Sequence, residues 1–122
     1  MTKERLDLGK WGEKLALKKL KGYGYRCIVK NYRCPLGEID LIAKDGDCLV
    51  FVEIKTRKGK SLSYTKEAVD SRKKRQLSKV ALSYMKSNDC YDVKSRFDVV
   101  AINLLGNREQ VEVIQNAFDL AY

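Results

Sequence analysis

The sequence predicts an α/β layer architecture with a mixed central sheet, and three observations carry that expectation. Leu8, Trp11, Leu15 and Ala16 recur at helical spacing near the start of the chain. A second helical stripe, formed by Val69, Leu77, Val80, Ala81 and Tyr84, follows later. Between and after the two stripes lie short segments that alternate apolar and polar residues and are rich in aromatic and β-branched types, as half-buried strands are. The order that results, α-β-β-β-α-β-β, is that of a sheet flanked by helices.

Each element has its own signal. The first helix is expected from about Thr2 to Lys21, with Gly22 and Gly24 supplying its stop. Tyr25 to Arg33 reads as a strand, and Pro35-Leu36-Gly37 as the turn after it. Glu38 to Lys44 alternates, with Ile39, Leu41 and Ala43 on one face and Glu38, Asp40 and Ile42 on the other. Asp45-Gly46 signals a hairpin leading into a strand from Cys48 to Thr56, where Val50, Val52 and Ile54 oppose Phe51, Glu53 and Lys55. A basic loop containing Gly59 precedes the second helix, expected from about Lys66 to Lys86. Arg96 to Asn103 is a further strand, and Gln110 to Gln115 a short last one after a Gly106-Asn107 turn. The chain of 122 residues shows no repeat, linker or low-complexity tract, so one domain over residues 1–122 is expected.

Composition narrows the function classes. No apolar run approaches the roughly 18 residues that a membrane span needs. The start of the chain is charged and lacks the apolar core of a secretory signal, so a cytoplasmic protein without membrane attachment is expected. There is no histidine, which excludes every mechanism with a histidine base. The four cysteines (Cys27, Cys34, Cys48 and Cys90) form no C-x-x-C pair, so reduced, half-buried packing residues are expected in place of a zinc site. The net charge is +9, and the stretch from Lys55 to Lys79 holds ten basic residues against two acidic ones. Such a block suits a polyanion, most often nucleic acid, although a solvated basic surface has the same composition.

The chemistry rests on carboxylates set into apolar strands. Asp40 lies within Glu-Ile-Asp-Leu-Ile-Ala and Glu53 within Val-Phe-Val-Glu-Ile-Lys. A charged group in such a setting is costly unless it is paired or holds a metal. With Asp45-Gly46 as the two turn residues, Lys44 would pair with Asp47 and Asp40 would lie opposite Phe51, one diagonal step from Glu53, with Lys55 on the same face. Two carboxylates so close repel unless a cation lies between them, and Mg²⁺ suits them. The ion could activate water and polarise a phosphate, with Lys55 orienting the water or offsetting charge. An ordinary ion-pair cluster on a solvated face is the competing reading. Glu13 shares a small, apolar stripe with Gly9, Ala16, Leu17 and Leu20 and could reach the same ion, or could pair with surface lysines. Lys73 lies within the second helix's apolar stripe, where a phosphate contact competes with snorkelling from the core. Trp11 reads as core.

Taken together, these residues resemble a known family. Asp40 followed by Glu53-Ile54-Lys55 resembles the PD-(D/E)xK signature of restriction-endonuclease-like nucleases, with Ile39 in place of the proline. The wider run is more specific. Gly12-Glu13, Gly24-Tyr25, Asn31-Tyr32-Arg33, Gly37 to Ile42, Val52 to Lys55, Lys73 and Arg96 to Val100 resemble, in order, the YraN-like family of small bacterial proteins, akin to Holliday junction resolvases. That resemblance implies the restriction-endonuclease-like core. It also implies Mg²⁺ at Asp40 and Glu53, Glu13 as an added acidic ligand and Lys55 as the catalytic lysine. The expectation is therefore an endonuclease dependent on Mg²⁺, with Mn²⁺ able to substitute, that acts on DNA, including branched DNA. Arg33, Arg57, Lys58, Lys60, Lys73, Lys74 and Arg75 are the expected contacts to the nucleic-acid backbone, although Arg33 also fits a strand-edge role. A homodimer would suit a junction substrate. Two rivals share the sequence features: a non-catalytic nucleic-acid-binding module of the same fold, and a protein-binding module with a basic face.

Overall fold

A computed structural model describes residues 3–59, 69–90 and 92–119, with side chains from residue 7 onward. Helix α1 spans Lys3–Gly22 and is followed by strands β1 (Arg26–Cys34), β2 (Gly37–Asp45) and β3 (Cys48–Lys58). Helix α2 spans Ser71–Ser87, and β4 (Ser95–Leu105) and β5 (Arg108–Phe118) close the chain. The order matches the expectation, and β5 is longer than its expected Gln110–Gln115 core. The strands form one sheet in the order β1-β2-β3-β4-β5. β3 and β4 are parallel and every other neighbouring pair is antiparallel, so the sheet is mixed.

The two helices cover opposite faces. On one face Ala16 and Leu20 of α1 pack with Leu41, Ala43, Val50, Val52, Val100 and Ile102, and Trp11 packs at the margin. On the other, Leu77, Val80, Ala81, Tyr84 and Met85 of α2 pack with Ile42, Leu49, Phe51, Phe97 and Val99. Each fully buried valine, leucine, isoleucine or phenylalanine among them contributes about 1.5–3 kcal/mol of apolar burial. Continuous burial along β3, from Cys48 to Glu53, follows from this covering of both faces.

Helix ends are set by local chemistry. Gly24, at φ +90°, ends α1: Tyr25 N donates to the Leu20 carbonyl at 3.0 Å and Gly24 N to the Lys21 carbonyl at 3.0 Å. That pair of bonds is a Schellman cap. α2 begins later than the expected Lys66, because Asp70 caps it, its carboxylate accepting from Lys73 N at 2.9 Å. The expected first turn around Lys66 lies outside the described residues. α1 also approaches the sheet closely. A Cβ on buried Gly12 would sit 2.1 Å from Thr56 Oγ1 of β3, so only glycine fits there.

The hairpin corrects the expected register. Asp45 pairs with Cys48 and Lys44 with Leu49, so Gly46 and Asp47, rather than Asp45 and Gly46, are the turn residues. Gly46 takes φ +62°, and glycine at the first of two central positions is a favoured hairpin geometry. The shift keeps the same faces together, because it moves each partner by two positions. The expected alternation of β2 also breaks. Ile39 joins Ile42 on the α2 face, not Leu41 and Ala43 on the α1 face. The break falls at Asp40, beyond the last β2–β3 pair, Leu41↔Val52, and opposite Asn31, which sits at φ +52° between the pairs Lys30↔Leu41 and Tyr32↔Ile39.

Candidate metal centre and basic groove

The site forms where β2 parts from β3. With the ladder ending at Leu41↔Val52, the amide of Ile54 has lost its strand partner, and Asp40 Oδ2 accepts from it at 2.8 Å. The Asp40 side chain therefore reaches across towards β3 and stands beside Glu53. Carried one position past Leu41↔Val52, the register would set Asp40 against Glu53, in place of the diagonal step expected from sequence.

Glu53 is buried, with 6% of its surface exposed. Among the described residues, its Oε2 is the one buried side-chain oxygen or nitrogen that has no hydrogen-bond partner. Lys73 of α2 pairs with it, its Nζ lying 3.6 Å from Oε2. Burial pushes the Glu53 carboxyl up to about 8, aided by the neighbouring Asp40 carboxylate, while the charges of Lys73 and Lys55 pull the other way. A buried acid beside a second acid, with an orphaned oxygen, is an arrangement that a divalent cation would satisfy. The hard oxygen donors of Asp40 and Glu53 fit Mg²⁺ or Mn²⁺. A cluster of three acids or thiols is absent among the described residues.

The remaining expected residues fall into three groups. Lys55 is half-buried two positions beyond Glu53 on the same strand face, and its charge acts on Glu53. Glu13 is half-buried and its Oε1 accepts from Asn31 Nδ2 at 3.1 Å. Asn31 stands opposite Asp40 across β1 and β2, so the bond brings Glu13 to the margin of the site without joining it to the acid pair. Lys73 is placed in the acid site, and it also lines a groove with Arg72, Arg75, Gln76 and Lys79 of α2 and the Pro35-Leu36 turn. The turn is pressed against the helix: a Cβ on Gly37 would lie 2.8 Å from Gln76 Nε2.

The other basic residues lie apart from the acids. Arg33 pairs with Glu38 at 3.0 Å on the exposed edge, the strand-edge role. Lys74 Nζ lies 5.6 Å from the centre of the Phe118 ring, away from Glu53. Arg57 and Lys58 run along the end of β3 beside Asn103 and Leu104. Lys60 lies outside the described residues.

Sequence reasoning gave no role to Asn31 or Arg72, and placed Lys73 by its helical stripe alone. Asn31 could have been found from its type, since asparagine tolerates a positive φ. The pairing of Lys73 with Glu53 depends on how α2 docks, and no local signal carries it. A second buried network centres on Asp98. Asp98 is fully buried and accepts from Arg96 Nε at 2.9 Å, Tyr25 Oη at 2.6 Å and Asn116 N at 2.9 Å. Arg96 also reaches Asp45 at 2.7 Å. The cysteines are free; Cys34 and Cys90 are half-buried as expected, whereas Cys27 is exposed.

The element order, the mixed sheet and its two covering helices define an α/β protein of the restriction-endonuclease-like fold. Residues 12–102 match the model of the family described as "Uncharacterised protein family UPF0102". A UPF0102 protein of Geobacter metallireducens is 43% identical over 122 residues, covering 100% of both chains. One of Syntrophus aciditrophicus is 42% identical over 98% of this chain and 94% of its own. One of Geobacter sulfurreducens is 46% identical over 94% of this chain and 91% of its own. The chain belongs to the UPF0102 family, the YraN-like family that its motifs resemble. No described helix is long and apolar enough to cross a membrane.

Proposed function

We propose that this protein is a metal-dependent nuclease that hydrolyses phosphodiester bonds in DNA. The observation that carries the reading is the pair of carboxylates at the parting of β2 and β3, with Glu53 Oε2 buried and lacking a hydrogen bond. Asp40 and Glu53 would hold Mg²⁺, or Mn²⁺ in its place, with Glu13 at the margin. Such an ion supplies Lewis acidity to a phosphodiester. Asp40 is oriented for this by the Ile54 amide at 2.8 Å. Lys55, on the same strand face, would position the attacking water and offset charge on the phosphate. Arg72, Arg75 and Lys79 line a groove that meets the acid site at Lys73, and would hold the backbone without reading sequence.

The test is cleavage of single-stranded, duplex, flap and four-way-junction DNA with Mg²⁺, Mn²⁺ or EDTA. Cutting that needs the metal and falls at least about a hundredfold in Glu53→Ala and Asp40→Asn is the expected result. Retained cutting in Glu53→Ala would sink the site assignment. Tight, salt-sensitive binding without cutting would favour a non-catalytic module. That rival leaves the acid pair unexplained, since a pure binder gains nothing from carboxylates that repel phosphate.

A further inference from the structure

We propose that Lys73 is an exchangeable counter-ion: it pairs with Glu53 when no divalent ion is bound, and loading of the ion drives its ammonium into the basic groove. The inference rests on the metal reading above and adds a role that the reading does not require.

Lys73 belongs to two environments at once. Its backbone is fixed, because Lys73 N donates to the Asp70 cap at 2.9 Å in the first turn of α2. Its side chain is not. The ammonium stands 3.6 Å from Glu53 Oε2, an ion-pair distance too long for a good hydrogen bond. About a third of the side chain, 32%, is exposed, and it lines the groove with Arg72, Arg75 and Lys79. A long, flexible chain on a fixed root can turn between those settings at small cost.

The acid side of the site makes the exchange necessary. Asp40 Oδ2 is already committed to the Ile54 amide at 2.8 Å. Glu53 Oε2 is the buried oxygen that lacks a hydrogen bond, and the Lys73 ammonium faces it. A divalent ion held by Asp40 and Glu53 would claim that oxygen, and two cations crowded there repel. Among the described residues the ammonium is held by one loose contact, and it has a groove beside it, so it is the group that leaves. It then adds a charge to a surface that already carries Arg72, Arg75 and Lys79. Metal loading thereby prepares the groove for phosphate. Lys73 is in this sense a positioning residue, distinct from Lys55.

The experiment measures Mg²⁺ binding without nucleic acid, by calorimetry, in the full chain. Lys73→Met is expected to tighten Mg²⁺ binding on the order of tenfold, since a competing charge is gone. Lys73→Arg is expected to stay near wild type. In EDTA, Lys73→Met should lower the melting temperature of the wild type but not of Glu53→Gln. Unchanged Mg²⁺ affinity in Lys73→Met, with wild type still binding, would overturn the exchange and leave the metal reading intact. Absence of coupling between Lys73 and Glu53 in EDTA would also overturn it. If wild type binds no Mg²⁺, the metal reading itself fails and the exchange fails with it. A final arm adds a short DNA duplex: Mg²⁺ should raise the affinity of wild type more than that of Lys73→Met, and an equal gain would overturn the groove half of the proposal.

Discussion

At the scale of single residues, Glu53 sets the sharpest expectation. Its folded-state value of about 8 lies above the ordinary 4.5, so the folded chain binds a proton more tightly than the unfolded one. The stability this contributes is fully present below 4.5 and is lost as pH rises through 8. Metal-free protein should therefore melt at progressively lower temperature across that window, and Glu53→Gln should flatten the dependence. A melting temperature with the same slope in both proteins would contradict this account. Asp98 sets a different expectation, because Arg96, Tyr25 and Asn116 all donate to it. Asp98→Ala leaves Arg96 and Tyr25 without their shared acceptor in the interior, and should cost about 3–5 kcal/mol in chemical denaturation. The sequence made Glu53 legible, since it sits in an apolar strand. Which buried acid is satisfied was not legible: Asp98 accepts from Arg96, Tyr25 and Asn116, whereas Glu53 keeps an oxygen with no hydrogen bond.

At the scale of elements, the contact of α1 with β3 depends on one missing methyl. Gly12→Ala would drive a Cβ into Thr56 and lever the helix that carries Glu13 away from the sheet. We expect a loss of about 1–3 kcal/mol, recovered in part by adding Thr56→Ala, with denaturant midpoints as the readout. No recovery in the double variant would mean that the contact is not the cause. The elements themselves were largely legible, because helical stripes and strand alternation survive in single sequences. The hairpin register was not. Asp45-Gly46 offers two placements of a two-residue turn, and the core chose the one that sets Asp45 against Cys48. The break of alternation at Ile39 was equally hidden, since it follows from β2 leaving β3 and from Asn31 at φ +52° on the neighbouring strand.

At the scale of the whole molecule, the sheet separates the acid pair and α2 from the face that α1 covers. The helix beside the site, α2, carries Arg72, Lys73, Lys74, Arg75, Lys79 and Lys86 and no acidic residue. If the groove binds backbone phosphates, each of Arg72, Arg75 and Lys79 changed to a neutral residue should flatten the slope of log affinity against log salt by about 0.9. Binding measured across a salt series checks this, and slopes indistinguishable from wild type would move the contact surface elsewhere. Charge sign and block were legible in the sequence. Which of the basic residues share a surface with Glu53 was not, because that depends on how α2 packs against β2 and β3.

The parallel pairing of β3 with β4 has a consequence for how the chain is made. Glu53 stands level with Val99, a partner that emerges from the ribosome only after α2. An antiparallel hairpin of β2 and β3 can close early, but a parallel neighbour waits for the crossover. A nascent chain halted before β4 should therefore carry Asp40, Glu53 and Lys73 and still lack the wall that buries them. On the proposed metal reading, such a chain would lack a tight metal site, and the site would be complete only with the last two strands.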